Sequence, residues 1–376
     1  MLVRAYLDTA KTLVSQYTGK PPLSVYLSGY FKQHKQYGSR DRKYIADLVY
    51  AYFRLGVQTN LPTEQALLLG AWFKSRLPRR FFELAEPILA EQFELPFDEK
   101  MAWAKTQYGL AFEPVCNLSA GISKSEYLSY CYSQSQVFLR LRQKDKVLRA
   151  LSFHKIPFTD LGKDCIAVES NTDLSTYLDD RDYVIQDYAS QRTGDFWDIK
   201  PNTAWWDCCA ASGGKALRLL DSGIPIQLQV SDIRASILYN LDQRLSRYGY
   251  AKRYTTKVLD LTTPPPPQGP FDAIIADVPC SGSGTWARSP EGIYFTSAED
   301  IQAYHDKQVQ IACNAAQYLK SGGKFYYITC SVFALENEAS VDAIIAQTGL
   351  QCVSQQVLHY PGTGSDCLFT AVLEKH

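Results

Sequence analysis

The hydrophobic pattern of the chain changes character twice. Over the first 128 residues apolar positions recur at helical spacing. Tyr44, Ile45, Leu48, Val49, Tyr52 and Phe53 fall on one face of a helix predicted to open at Gly38-Ser39-Arg40-Asp41, with Ser39 as its cap, and to stop at Gly56. Thr63-Glu64 opens a second helix through Phe73, and a third is predicted over roughly Arg79 to Phe93. Pro78, Pro87, Pro96 and Pro114 punctuate the region. The expectation for 1–128 is an all-α bundle.

Between 129 and 200 the period shortens. Val137, Leu139 and Leu141 alternate with Phe138, Arg140 and Arg142, which predicts a strand. A helix over Lys144 to Lys155 and a short strand near Cys165 to Glu169 complete a small α+β segment. Its strand face can present aromatics and Arg140 and Arg142 to single-stranded RNA, or it can be an ordinary half-exposed strand. Over 201–376 strands and helices alternate. Strands are predicted at Ala204 to Cys209, Gln227 to Ile233, Thr255 to Leu261, Phe271 to Val278, Lys324 to Cys330, Val353 to Leu358 and Leu368 to Leu373. The longest helix runs from Ala298 to Leu319. Such βα alternation implies a parallel sheet covered on both faces. Pro264 to Pro267 read as a rigid surface connection.

Composition changes this picture little. The 376 residues carry no net charge, but Met1 to Arg54 holds nine Lys/Arg against three Asp/Glu. Lys32, Lys35, Arg40, Arg42 and Lys43 form the densest basic patch, which is either a solvated helix face or a track for phosphates. The ten cysteines include no CxxC pair and no zinc-like spacing with histidine. No apolar run is long enough to span a membrane, and Asp8 and Lys11 break up any secretory pattern at the N-terminus. The expectation is a cytoplasmic protein with reduced thiols, no metal and no membrane contact.

Candidate chemistry gathers at predicted strand ends. Asp207-Cys208-Cys209-Ala210-Ala211-Ser212-Gly213-Gly214-Lys215 joins the first strand to its helix, where small residues and free amides let backbone approach a ligand. Asp232 ends the next strand, placed for ribose hydroxyls, and Asp260 ends the third, placed for the adenine side of the same ligand. Three ligand candidates at successive strand ends point to a nucleoside-containing cofactor. Asp277-Val278-Pro279-Cys280-Ser281-Gly282-Ser283-Gly284 and Thr329-Cys330-Ser331, followed by Glu336-Asn337-Glu338, end two more strands. If the sheet is parallel, both thiols project toward one pocket. Spacing alone leaves covalent catalysis and a redox pair open.

These motifs resemble the RsmB/Nop/Sun family of RNA cytosine-5 methyltransferases, in family order over roughly residues 130 to 376. Val184-Ile185-Gln186-Asp187-Tyr188-Ala189-Ser190-Gln191 also resembles the family segment that precedes the cofactor domain. The Gly38-Ser39-Arg40-Asp41-Arg42 helix is similar to the NusB-like RNA-binding domain of the RsmB branch. The resemblance implies a class I S-adenosylmethionine-dependent methyltransferase (Rossmann-like α/β) domain at 201–376, an RRM-like α+β segment at 129–200 and a NusB-like bundle at 1–128. It implies S-adenosyl-L-methionine held by Cys209, Ala210, Ala211, Ser212, Gly213, Gly214, Lys215, Asp232, Asp260 and Asp277.

For catalysis it implies Cys330 as the thiolate that adds to cytosine carbon 6 and Asp277 as the acid at ring N3. Lys215 then contacts that acid or the base pocket, and Cys280 is the releasing group. DNA cytosine-5 methyltransferases use the Pro-Cys cysteine as nucleophile, so a second cysteine in Thr-Cys-Ser argues for the RNA arrangement. The implied partner is RNA, with small-subunit ribosomal RNA ahead of tRNA; a monomer is assumed, since nothing in the sequence reads the oligomeric state. A catalytically silent RNA-binding assembly factor and a methyltransferase acting on a small molecule or protein are the competing classes. Ser212 stands where the family has proline, Ile237 where it has arginine, and Asp366-Cys367-Leu368 where an Asp-Gly-Phe type sequence is expected.

Overall fold

A computed structural model describes residues 2–56, 61–74, 76–110, 112–133, 136–170, 172–266 and 268–376. Pro267, the last proline of the run noted above, lies outside them. The chain divides into two compact units. The first comprises Met1–Val115, Ser123–Gln134 and Thr285–Ser297; the second comprises Cys116–Ile122, Ser135–Gly284 and Ala298–His376.

The first unit is helical. Leu2–Gln16, Leu23–Gln33, Ser39–Leu55, Thr63–Lys74, Phe97–Tyr108 and Lys124–Tyr132 are its longer helices. The periodic face of Ser39–Leu55 is buried through Ile45, Leu48, Val49 and Phe53, as its spacing requires. Its cap differs from the expectation: Gly38 is the N-cap, and its N–H donates to the Asp41 carboxylate at 2.9 Å. The predicted Arg79 to Phe93 helix is two short ones, Arg79–Ala85 and Pro87–Glu91. Proline has no N–H to continue the ladder and forces the residue before it out of helical geometry, as Glu86 shows (φ −154°, ψ 84°). Helices Ser39–Leu55 and Thr63–Lys74 pack closely because Gly70 has no side chain. A Cβ there would lie 2.3 Å from the Ala51 carbonyl oxygen.

The second unit holds two sheets. The smaller one pairs β1 (Val137–Leu141), β2 (Thr159–Gly162), β3 (Cys165–Val168) and β4 (Tyr183–Ile185) in the order β2-β3-β1-β4, all antiparallel. The strand at β1 and the helix Lys144–Phe153 match the sequence pattern. The proposed display of arginines does not. Arg140 is buried, with Nη2 2.6 Å from Asp221 Oδ2 and Nε donating to Gln186 Oε1. Arg142 donates to Asp221 Oδ1 at 3.0 Å and to the Arg181 carbonyl at 2.8 Å, and stacks over Tyr248. A guanidinium at a sheet face satisfies the nearest buried carboxylate before it serves a distant phosphate. These two side chains therefore fasten the small sheet to the Gly214–Leu220 helix end instead of facing RNA.

The larger sheet has seven strands in the order β10-β11-β9-β8-β5-β6-β7. They are β5 (Ala204–Asp207), β6 (Gln227–Asp232), β7 (Tyr254–Val258), β8 (Phe271–Asp277), β9 (Leu319–Thr329), β10 (Gln351–Leu358) and β11 (Leu368–Glu374). Strands β5 to β9 are parallel. β11 runs antiparallel between β9 and β10, so the sheet is mixed and not wholly parallel. No helix intervenes between β10 and β11, so the chain turns straight back, which only antiparallel pairing allows. Alternation is regular: Trp205, Ala273, Ile275, Tyr326 and Ile328 pack on one face, and Trp206, Ile274, Ala276, Phe325 and Tyr327 on the other. The long helix ends at Ala316, and β9 begins at Leu319, earlier than predicted, its pairing with β8 interrupted between Phe271 and Ala273. Gly322 takes φ +71°, which locates the bend. No helix among the described residues is long and apolar enough to cross a membrane.

Among the described residues Asp221 is the sole carboxylate paired with Arg140 and Arg142. Asp221→Ala is expected to lower stability by about 3–5 kcal/mol, the usual consequence of stranding buried charge. Urea unfolding checks this; a loss below about 1 kcal/mol would mean that the pair is not a fastening.

Candidate active site

Every candidate residue sits at the carboxyl edge of the parallel strands, because each strand ends in a turn that carries a short polar or thiol side chain. β5 ends at Asp207, and the Cys209–Gly214 loop leads into the helix Gly214–Leu220. The loop is held by its own backbone. Ala210 N–H donates to Ser231 O at 2.8 Å and Gly213 N–H to Ala210 O at 2.8 Å. Gly213 takes φ +82°, the left-handed region where glycine costs least. Ser212, in the place of the family proline, accepts from Arg244 through its carbonyl and hydroxyl oxygens.

Beside this loop lies a cavity of about 480 Å³, within the roughly 300–1,000 Å³ of small-ligand pockets. Of the predicted cofactor residues, Cys209, Ala211, Asp232, Asp260 and Asp277 line it. Ala210, Ser212, Gly213 and Gly214 shape the loop without lining the cavity, and Lys215 turns elsewhere. The wall is completed by Ile233, Leu259, Leu261 and Ile311 and by two cations, Arg234 and Lys307. Burial works to raise the Asp232 carboxyl, but the Arg234 guanidinium, on both of its oxygens at 3.0 and 3.2 Å, holds it below the usual carboxylate range. Asp260 Oδ1 accepts from the Thr262 N–H and hydroxyl.

Lys215 Nζ is 2.7 Å from Asp277 Oδ2 and donates to Ser190 Oγ at 3.1 Å. Burial opposes its charge, yet the Asp277 carboxylate outweighs that and raises Lys215 above the usual lysine value. Asp277 ends β8 and also borders the cavity, so one carboxylate links it to the buried ammonium. Beyond it, Cys280 Sγ and Cys330 Sγ lie 3.1 Å apart, both free thiols. The parallel pairing of β8 with β9, Asp277 opposite Ile328, puts the two cysteine turns side by side. Contact with Cys330 first, then burial, raises Cys280 well above the usual thiol value, so Cys280 keeps its proton. Gly284 makes the approach possible. Its N–H donates to Cys330 O at 2.9 Å, and a Cβ there would lie 1.8 Å from Cys367 O.

Residues 196–366 match the family described as 16S rRNA methyltransferase RsmB/F. Within those residues, less than half of the chain, the protein is similar to the RsmB/F methyltransferases. The chain is 30% identical over 188 residues to the ribosomal RNA small subunit methyltransferase B of Xanthomonas campestris pv. campestris, covering 49% of this chain and 43% of that protein. It is 31% identical over 218 residues to the protein of that name from Shewanella oneidensis, covering 56% and 50%. The chain thus spans about half the length of these relatives, or less. Among solved structures, that of PH0851 covers 100% of this chain and 98% of its own, with a TM-score of 0.65 and 16% identity. A methyltransferase homologue from Pyrococcus horikoshii covers 67% and 90%, with a TM-score of 0.56 and 18% identity. Both establish the fold.

The residues present fit S-adenosylmethionine, the cofactor that the resemblance implies. Strand-end acids Asp232 and Asp260 offer acceptors for hydroxyls, and Leu259, Leu261 and Ile311 offer an apolar wall for a purine. The buried Asp207 carboxylate has no hydrogen-bond partner of normal geometry on either oxygen, an unanswered acceptor under the loop.

Sequence reasoning quoted Asp207, Ser190 and Glu336 within motifs but gave them no role, and it passed over Arg234 and Lys307. Arg234 follows Asp232 by two residues, a signal within reach, and supplies a cation that Ile237 does not. Lys307 comes from the long helix, and no local pattern marks it.

Burial, then the Asp277 charge, pushes Asp207 up to about 7 from its ordinary 3.8. The folded state then holds a proton that the unfolded state releases. That contribution to stability is complete below about pH 4 and is lost as pH rises through about 7. Asp207→Asn should flatten the dependence, giving a smaller fall in melting temperature between pH 6 and 8 than the cofactor-free wild type. Equal falls would show that Asp207 does not titrate there.

Proposed function

We propose that this protein methylates carbon 5 of a cytosine in RNA, small-subunit ribosomal RNA, through a covalent bond between Cys330 and carbon 6 that Cys280 helps to undo. The observation that carries the reading is the meeting of two sulfurs at 3.1 Å beside a carboxylate–ammonium pair, at the edge of a methyltransferase sheet. The names of the curated relatives support ribosomal RNA as the substrate. On this reading 1–128 is a NusB-like RNA-binding bundle, 129–200 an RRM-like segment and 201–376 the catalytic domain, acting as a cytoplasmic monomer. Exposed Lys32, Lys35, Arg40 and Lys43 on the bundle offer a track for phosphates.

The residues perform the reaction as follows. Cytosine carbon 5 is a poor nucleophile until something adds at carbon 6. The Cys330 thiolate forms a bond to carbon 6, and the ring electrons move toward carbon 5 and N3. On this reading Asp277 hydrogen-bonds or protonates ring N3, while the Lys215 ammonium, 2.7 Å from Oδ2, offsets negative charge. S-adenosylmethionine supplies an electrophilic methyl group at the adjacent cavity. With carbon 5 alkylated, its proton passes to solvent water, the C–H electron pair forms the C5–C6 double bond, and the C6–S bond breaks with its pair returning to Cys330. Cys280, which holds its proton against the Cys330 sulfur, steadies that departing thiolate. The target base must be unpaired or flipped for sulfur to approach its face.

Cys330→Ala should reduce tritiated methyl transfer to background while S-adenosylmethionine still binds, and retention of wild-type transfer would refute the nucleophile. Cys280→Ala should accumulate a nuclease-sensitive protein–RNA band on a denaturing gel. Sequencing that RNA separates ribosomal RNA from tRNA. No band, together with no transfer by the wild type, would favour a silent RNA-binding assembly factor.

A further inference from the structure

Glu336 is wholly buried, and among the described residues no cation pairs with it. A carboxylate in that position is costly unless hydrogen bonds satisfy it. Its donors come from three separate segments. Oε1 accepts from Ser281 N–H at 2.8 Å and from Gln308 Nε2 at 3.0 Å. Oε2 accepts from two hydroxyls, those of Ser281 and Ser331. Ser281 directly follows Cys280, and Ser331 directly follows Cys330, so the Cys-Ser pair in each turn is bound to one carboxylate oxygen. Gln308 also donates to Pro279 O at 3.0 Å, so the Cys280 turn is held on both sides of its sulfur.

The clamp itself is anchored. Tyr327 hydroxyl donates to the Glu336 carbonyl at 2.7 Å and lies 3.0 Å from Gln308 Oε1, and Ser340 hydroxyl donates to the same Gln308 oxygen. Asn337 donates to Ser331 O and Ser119 Oγ at 2.9 and 2.8 Å.

We propose that Glu336 is the positioning residue of the two-cysteine centre, holding both Cys-Ser turns so that the sulfurs of Cys280 and Cys330 stay in contact through addition and release. The inference rests on the covalent reading above. A serine after each cysteine thereby gains a reason: each hydroxyl is one arm of the clamp. A neutral residue of similar shape could fill the space, so the charge calls for its own explanation. The groups facing Cys280 are Cys330 and Glu336, with Tyr304 and Tyr327 beside it, while Lys215 faces Cys330. Behind Cys330 contact and burial, the Glu336 charge is a further cause that keeps Cys280 protonated. Cys116 is a fourth neighbour that its charge raises.

The test uses full-length protein and two readouts. The first is the kcat and KM of methyl transfer. The second is the pH midpoint of iodoacetamide alkylation of Cys280, followed by peptide mass spectrometry in a Cys330→Ser background without RNA. Glu336→Gln is expected to lower kcat at least tenfold with an unchanged KM for S-adenosylmethionine, and to move the Cys280 midpoint to lower pH. A kcat within twofold of wild type with an unmoved midpoint would overturn the proposal. Should Glu336→Gln fail to fold, Ser281→Ala and Ser331→Ala each remove one arm and keep the charge. A threefold or greater loss of kcat in both supports the clamp, and wild-type kcat in both overturns it. If the wild type transfers no methyl group, the covalent reading fails. The alkylation midpoint then decides the placement of Glu336 by itself: a fall supports it, and no change overturns it.

Discussion

The parallel pairing of β8 with β9 is the constraint from which the site follows. Strands in parallel register present their carboxyl ends to the same side, so the turn after Asp277 and the turn after Thr329 must meet. Two thiols placed there touch at 3.1 Å without any loop having to fold over them. The cost is crowding, which Gly284 relieves by letting backbone pass where a side chain would collide with Cys367 and Cys330. The same edge carries the Cys209–Gly214 loop and Asp232, and Asp277 both borders the cavity and pairs with Lys215, the ammonium that faces Cys330.

Much of this was legible in the sequence because the chemistry sits on period-2 strands that end abruptly. Apolar alternation located β5, β6, β8 and the end of β9, and the residue after each strand was the informative one. Asp277, Cys280 and Cys330 converge, and Lys215 joins them, as a parallel arrangement of their strands demands. Cys209, Ala211, Asp232 and Asp260 line one cavity. The direction of β11 was hidden, since apolar alternation is the same for a strand running either way.

What escaped the sequence depends on partners remote along the chain. Arg140 and Arg142 looked like a basic strand face, and nothing near them announced that Asp221 would absorb both charges. Glu336 was quoted only as part of a motif, because its donors Ser281 and Gln308 lie 55 and 28 residues away. Asp207 is of the same kind: burial under a glycine loop, not the residue itself, leaves its carboxylate without a hydrogen bond of normal geometry. Local pattern reads faces and ends; long-range electrostatics has to be read from the fold.

The central claim is that Cys330, and not Cys280, bonds to the base. The most direct measurement is peptide mapping of the wild-type protein after reaction with RNA containing 5-fluorocytidine, where the fluorine at carbon 5 cannot leave as a proton does and the adduct persists. The account predicts a nucleotide-bearing peptide containing Cys330, formed only with S-adenosylmethionine present if it is to carry the methyl group, and an unmodified Cys280. A nucleotide on Cys280 with Cys330 unmodified would contradict it and reverse the roles of the two sulfurs.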